Sequence, residues 1–421
     1  MGSVEILEER RASIQRGGAA GIKCGSDSVS GAVSQRACVY CGARVVLNPI
    51  TDACHIVHGP IGCASYTWDI RGSLSSGSDR YRNSFSTDLR ERDIVFGGAE
   101  KLARAVDEVA EKMRPKLIFI YATCIVGVIG DDVEAVAREA EKRRGVRVIP
   151  VKSPGFSGTK QHGYRMACEA IMQLIRPHRS GGRRAGVNIL GDFNLAGETW
   201  IIKNYLREIG IPVRATITGD ASYDTLITAP AAALNIVQCA GSMTHLAKMM
   251  EEEMGVPYLK VSFFGVEDAG ASLIRVAEAI GDDGNRRRAR EFTRRQADDL
   301  ADFSRRYRPR LEGKKAAIYV GGGFKAISLI RQFKAMGMET VVVGTQTGQP
   351  EDYEIIGGLV GPDAVILDDA NPAELEKFML ENGADILVGG VKERPLAYKL
   401  GIAFCDHNHE RRHALVGYDG V

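Results

Sequence analysis

The sequence predicts an α/β protein built from three Rossmann-like, doubly wound parallel-sheet domains. Three times a short apolar run ends in a turn bearing glycine or cysteine, opens an amphipathic helix and returns to a second apolar run. That order builds parallel sheets with crossover helices. The 421 residues leave room for two to four cores at about 100–200 residues per domain. A hydrophobic content of 44% and a charged content of 26% are those of an ordinary globular chain.

In chain order, residues 1–35 are polar and glycine-rich and read as a loose arm. A first domain at 36–180 contains a strand in KLIFIYATC (116–124), a helix in GDDVEAVAREAEKRRG (130–145) and a strand in VRVIPVKSPG (146–155). HRSGGRRAG (178–186) reads as a linker. A second domain at 181–310 runs GVNILGDF strand, ETWIIKNYLREIG helix, PVRATITGD strand, LNIVQCAG strand and MTHLAKMMEEEMG helix. Its last part, 283–310, is an Arg- and Asp-rich helix that reads as a solvated connector. The third domain, 311–421, opens with KKAAIYVGGGFKAISLIRQFKAMGMETVVVG, again strand, glycine turn, helix and strand, and ADILVGG (384–390) is a later strand.

Several function classes are excluded early. Lys+Arg (55) and Asp+Glu (53) nearly cancel, leaving a formal charge of +2, so no bulk field favours nucleic acid or an anionic membrane. No apolar run approaches the roughly 20 residues that span a bilayer. The charged start MGSVEILEERRASIQRGG has no secretory h-region, and a cytoplasmic protein is expected. The nine cysteines are odd in number, which argues against a disulfide framework and for metal or redox work by some of them. No P-loop and no G-x-G-x-x-G occurs. The turn Gly321-Gly322-Gly323, with Lys325 beyond it, is either a plain tight turn or a place where backbone amides approach a bulky anion.

Cys38, Cys63 and Cys124 sit at breaks in the pattern, among small residues such as Gly62. An iron–sulfur cluster needs such thiolates, with space for an inorganic core and amides to donate to its sulfurs. Their spacings match no compact ferredoxin or zinc pattern, and Cys38 with Cys41 is a single C-x-x-C. Cys239 ends an apolar strand before Ala-Gly-Ser, where open α/β sheets place ligands; a buried thiol fits there equally well. Cys168 lies inside a helical run and reads as a small buried hydrophobe, whereas Cys24 and Cys54 fit either reading. His407, His409 and His413 crowd beside Cys405 and Asp406, as a metal or proton-donor patch or as a polar tail. His55 and His58 read as structural donors to nearby backbone.

The run ACVYCGARVVLNPITDACHIVHGPIGCASYTWDIRGSLSSGS resembles the first domain of nitrogenase component 1, α-type subunits. STDLRERDIVFGGAEKL, TCIVGVIGDDVEAV, GDFNLAGETW, LNIVQCAGSM, GVPYLKVSFFG and GGVKERPLAYKLGI extend the resemblance from about residue 36 to the end. Within that family, W-D-x-R-G-S-x-S-S-G is most similar to NifE-type scaffolds and to nitrogenase-like reductases. The resemblance implies pairing with a homologous β-type subunit (NifK/NifN-like) in an α2β2 assembly. It also implies that Cys38, Cys63 and Cys124 are ligands of an iron–sulfur cluster at the α/β interface, four-iron or P-cluster-like eight-iron. Cys239 would hold a large iron–sulfur cofactor or its precursor, with Lys325 and Lys392 as cations beside it. A separate ATP-dependent iron–sulfur reductase (NifH-like) would supply electrons. Dinitrogen-reducing subunits carry a cofactor-ligating His where this chain has Val416, and valine cannot coordinate a metal. The loop SPGFSGTKQHGYR, which holds His162, also departs from the catalytic pattern.

The resemblance therefore implies first a nitrogenase-like reductase of the methylthio-alkane reductase type. It would cleave a C–S bond of a small-molecule substrate at the cofactor on Cys239, with His162, His407, His409 or His413 as proton sources. The alternative is a NifE-type scaffold for iron–molybdenum cofactor biosynthesis. A third reading, a metal-free small-molecule-binding α/β protein, requires Cys38, Cys63, Cys124 and Cys239 to be ordinary buried thiols.

Overall fold

The structure is a computed structural model and describes residues 8–17, 21–25, 37–68, 83–179, 184–407 and 411–420. Its contacts divide into two units. The central unit is Ala37–Lys260, and the terminal unit joins Met1–Arg36 to Val261–Val421. The first strand of the chain, β1 (Ile14–Arg16), belongs to the terminal unit.

The central unit holds two sheets. Helices α1 (Val39–Leu47), α2 (Ile61–Trp68), α3 (Glu91–Phe96), α4 (Ala99–Met113), α5 (Cys124–Ile129), α6 (Val133–Arg144) and α7 (Lys160–Ile175) accompany the first. Its strands are β2 (Ala53–His58), β3 (Ser84–Ser86), β4 (Leu117–Ala122) and β5 (Arg147–Lys152), parallel and ordered β3-β2-β4-β5. Strand β4 shows why its sequence is continuously apolar. Leu117, Phe119 and Tyr121 enter one core, while Ile118, Ile120 and Ala122 enter another on the opposite face. The second sheet is β6 (Val187–Leu190), β7 (Val213–Ile217), β8 (Leu234–Val237) and β9 (Tyr258–Lys260), parallel in the order β7-β6-β8-β9. Helices α8 (Glu198–Glu208), α9 (Tyr223–Leu226) and α10 (Ala240–Met254) accompany it.

One core joins these two sheets. It takes Leu117 and Tyr121 from the first, Leu190 and Val237 from the second, and side chains of α1, α7 and α10. Where α1 meets α7 the backbones touch. A Cβ on Gly42 would stand 2.1 Å from the Lys160 carbonyl oxygen, and one on Gly163 would stand 2.0 Å from that of Val39. The linker at 178–186 therefore does not separate two compact bodies.

The terminal unit adds α11 (Val266–Ile280), α12 (Asp283–Leu311), α13 (Gly323–Ala335), α14 (Pro350–Leu359), α15 (Pro372–Asn382) and α16 (Arg394–Leu400). Its sheet contains β10 (Lys315–Val320), β11 (Glu339–Thr345), β12 (Val365–Asp368), β13 (Ile386–Gly389) and β14 (Ala403–Asp406). The order is β1-β12-β11-β10-β13-β14, parallel except for β1. Residues 261–310 belong here and not with the second sheet, because α11 packs on α12 and Ser262 bonds Ser328 of α13. Among the described residues, no helix is long and apolar enough to cross a membrane.

The expected loose arm is a second correction. Residues 8–16 form a short helical turn and the antiparallel edge strand β1, with Ile14 opposite Leu367. Arg10 anchors them. Its Nε donates to Glu374 Oε1 at 3.0 Å, and its Nη2 donates to the carbonyls of Asp368 and Asp369. Both side chains of the ion pair are buried, so removing one leaves the other charge uncompensated. Arg10→Ala is expected to destabilise the terminal unit by about 3 kcal/mol, read as a lower urea midpoint.

Candidate metal centre

Three thiols converge at the carboxyl end of the first sheet. Cys38 caps the start of α1, Cys63 lies on α2 just after β2, and Cys124 opens α5 just after β4. Gly155, after β5, fixes their approach. A Cβ there would stand 3.0 Å from Cys124 Sγ, 3.2 Å from Cys38 Cβ and 3.4 Å from Cys38 Sγ. The Gly155 N–H donates to Cys124 Sγ at 3.1 Å. A side chain here would crowd both thiols, and the glycine also supplies the amide-to-sulfur contact that cluster thiolates use. Burial pushes the Cys63 thiol up, Cys124 and Cys38 push it further, and Thr123 pulls it down. Coordination reverses this logic, because a bound metal deprotonates its thiols. Among the described residues, no three His, Cys, Asp or Glu side chains close around a single-ion point. Beside Cys63 the space is open, with nothing within 4 Å of a Cβ on Gly62. This arrangement fits a polynuclear cluster better than one zinc ion.

Buried polar bonds tie these loops together. His58 meets Asp131 Oδ2 through Nε2 and Thr87 Oγ1 through Nδ1, both at 3.0 Å. Asp131 also accepts from the Gly98 N–H, and Thr123 Oγ1 donates to the His58 carbonyl at 2.9 Å. The turns that carry Cys63 and Cys124 are thereby joined to the start of α4. His55 bonds the Tyr121 hydroxyl at 2.9 Å and stacks on Phe119 and Tyr121. Both histidines are structural, but their ring nitrogens bond side chains instead of the expected backbone groups. Around the thiols the surface is apolar. Ile61, Val95, Phe96, Val128 and Phe156 are exposed, and so is Cys124. A surface of this kind marks a protein interface.

Cys239 is half-buried at the end of β8, as N-cap of α10. Gly191, at the end of β6, packs directly on it. A Cβ on Gly191 would lie 2.7 Å from that of Cys239, and its φ is +84°, a left-handed conformation that favours glycine. No spacing signal marks Gly155 or Gly191, since each acts on a cysteine distant in sequence.

The other candidates belong mostly to the terminal unit. Lys325, in the first turn of α13, lies 5.5 Å from the Phe264 ring centroid, and Phe264 meets His407 edge-on. His407 is buried, and neither ring nitrogen finds a hydrogen-bond partner among the described residues. Burial, then Lys325 and Arg411, push it well below the usual imidazole range, so it stays neutral. Lys392 and His413 are exposed and Val416 is buried. His162, in the central unit, is half-buried against Gly158. His409 and residues 69–77 of the W-D-x-R-G-S run lie outside the described residues. Cys54 and Cys168 are buried thiols pushed up to about 12 by desolvation. Cys41 is buried in α1, whereas Cys24 and Cys405 pack half-buried against a core of the terminal unit.

Residues 38–421 match the family model described as nitrogenase component 1 type oxidoreductase. The chain belongs to that family. It is 62% identical over 99% of its length to the nitrogenase iron-molybdenum cofactor biosynthesis protein NifE of Clostridium pasteurianum, covering 93% of that protein. The NifE protein of Methanosarcina barkeri is 49% identical over 100% of this chain and 94% of its own. A solved structure, nitrogenase Cp1 at pH 6.5, superposes with a TM-score of 0.89 at 28% identity, covering 98% of this chain and 92% of that one. These relatives overturn the expectation of a methylthio-alkane reductase, since they are named for cofactor biosynthesis. The proton-donor roles expected of His162, His407, His409 and His413 belonged to that reading and go with it.

Two outcomes follow from this geometry. Gly155→Ala, which forces a Cβ against Cys124 and Cys38, is expected to lower iron bound at these thiols while far-ultraviolet circular dichroism stays unchanged. His58 is held below the ordinary imidazole pKa, first by burial, with Asp131 opposing. The unfolded chain therefore binds the proton more readily, and the stability of the neutral form is lost as pH falls below about 6.5. A melting series from neutral to acid pH should show this loss in the wild type and a smaller one in His58→Gln.

Proposed function

We propose that this chain is a scaffold subunit for nitrogenase iron–molybdenum cofactor biosynthesis, holding an iron–sulfur precursor on Cys239 and passing it on. The observation that carries this reading is the identity of 62%, over nearly the whole chain, to a protein named for that role. The precursor is cargo, and Cys239 holds it. Lys325 and Lys392 are proposed as further cofactor-binding cations. A half-buried thiol at a helix N-terminus supports the assignment, because it is accessible and held by a single loop.

Cys38, Cys63 and Cys124 are proposed to hold a second, resident iron–sulfur cluster shared with a homologous β-type (NifN-like) subunit. That cluster, when bound, supplies one-electron transfer. The exposed Cys124 and the apolar side chains around it suit a face that a partner covers. Electrons are proposed to come from a separate ATP-dependent iron–sulfur reductase (NifH-like). The absence of P-loop and dinucleotide fingerprints from this sequence fits that division of labour.

The experiment is anaerobic purification of the chain with its β-type partner, followed by iron quantitation and incubation with apo-dinitrogenase. The scaffold reading expects two separable pools of iron, one of which activates the acceptor. Cys239→Ala should lose the transferable pool and keep the other, and Cys63→Ala should damage the interface pool. A wild-type complex with no transferable pool overturns the reading.

A further inference from the structure

Helix α12 is 29 residues long, and its buried side chains, Asn285, Ala289 and Phe292, all belong to its first half. The second half carries an apolar stripe at helical spacing, Phe303, Tyr307 and Leu311. The Phe303 and Tyr307 rings pack on each other with centroids 4.5 Å apart, yet Phe303 is still 40% exposed. This stripe is one wall of a cavity of about 400 Å³ inside the terminal unit. Leu329, Phe333 and Met336 of α13 form a second wall, and Ile386 and Val388 of β13 line it too. The volume is that of a small-molecule site, roughly 300–1,000 Å³. Apolar walls give water few partners, and cavities of that character take apolar molecules.

His407 reaches into this cavity. Its backbone N–H donates to the Gly389 carbonyl at 2.8 Å, which extends the pairing of β13 with β14. Cys405, two residues earlier, lines the same cavity. The imidazole is 1% exposed, and neither ring nitrogen has a hydrogen-bond partner among the described residues. A polar group buried in that state costs free energy that a ligand's hydrogen bond recovers. Asp268, Ser328 and Arg331, also at the cavity, satisfy one another instead. Ser328 Oγ donates to Asp268 Oδ2 at 2.6 Å, and Arg331 Nη1 donates to Asp268 Oδ1 at 2.7 Å. Burial, with Lys325 and Arg411, holds the imidazole neutral, so it offers one N–H and one bare nitrogen. A hydroxyl accepts from the first or donates to the second, and therefore suits either tautomer. A charged head would have to give up its water in an apolar site.

We propose that this cavity binds an uncharged, largely apolar molecule carrying one hydroxyl, an aryl or alkyl alcohol. Apolar contact with α12 and α13 holds its body, and a hydrogen bond to His407 holds its head. Cys239, Lys325, Lys392 and the three interface cysteines do not line the cavity, and the proposal does not depend on the scaffold reading. Binding buries the stripe of α12 that the protein alone leaves exposed, so occupancy also steadies that half of the helix.

The test uses the full chain with its β-type partner, purified anaerobically and titrated calorimetrically with three alkylbenzene probes. p-Butylphenol carries the hydroxyl, p-butyltoluene has the same shape without it, and p-butylbenzenesulfonate is the anionic counterpart. p-Butylphenol should bind about tenfold more tightly than p-butyltoluene, with the sulfonate weakest, and should slow amide exchange across residues 300–311. His407→Leu should erase the tenfold preference and leave p-butyltoluene binding unchanged. Ser304→Trp, which sets an indole in the cavity, should abolish binding of both. Far-ultraviolet circular dichroism checks the fold of each variant, and the three probes on wild type decide the question without them. No p-butylphenol binding to wild type, equal affinity for p-butylphenol and p-butyltoluene, or tighter binding of the sulfonate overturns the proposal. So does p-butylphenol binding that leaves exchange across 300–311 unchanged or that survives in folded Ser304→Trp, since the molecule would then sit elsewhere.

Discussion

The backbone contact between α1 and α7 is the constraint on which the central unit depends. Gly42 and Gly163 each face a carbonyl of the opposite helix at a distance no side chain could enter. The contact places the start of α1, with Cys38, beside the loop and cap that lead into α7. Gly155, Thr159 and Lys160 are therefore brought to the same place as Cys38 and Cys41. It also lets α7 serve two sheets at once, since its far side packs on α10 and so reaches the strand that ends at Cys239. A larger residue at either glycine would separate the helices and, with them, the two groups of thiols.

Around the first group, order is imposed by buried polar bonds and not by apolar packing. Loops at the carboxyl end of a parallel sheet have few ladder partners, and their backbone groups still need satisfaction. Asp131 meets this need at the Gly98 N–H with both carboxylate oxygens, Thr123 at the His58 carbonyl and Thr87 at the Gly59 N–H, while the His58 ring nitrogens hold Asp131 and Thr87 in place. Thr123 also bonds the Cys63 thiol, so this network reaches the sulfur group itself. The same economy appears at Cys239. Gly191 presses on its backbone and the thiol stays half-buried at the head of α10.

The two sulfur groups differ in a way that suits different tasks. Cys38, Cys63 and Cys124 stand at the starts of three separate helices, two of them against Gly155, and open onto an apolar surface. Several anchors of this kind suit a resident group that stays in place. Cys239 is a single half-buried thiol at the head of one helix, a looser hold that suits something to be released. That contrast fits a scaffold better than a chain whose large cofactor is permanently seated, and Val416 supplies no metal ligand in its place.

The fold class is legible in the sequence, because periodicity and turn chemistry are local. Runs such as KLIFIYATC and GGGFKAISLIRQFKA could only become strand and crossover helix, and they did. The sequence also determined which thiols stand at strand ends, since a Cys after an apolar run before a helix is legible without a structure. Tertiary structure alone decided which glycines matter. Gly155 and Gly191 act on cysteines 31 or more residues away, and no local pattern encodes that approach. It decided that residues 8–16 are anchored by Arg10, because the partner Glu374 lies 364 positions further on. It decided, too, that the first two sheets share one core. That outcome rests on a contact between two glycines, whose lack of a side chain leaves no trace in hydropathy or charge.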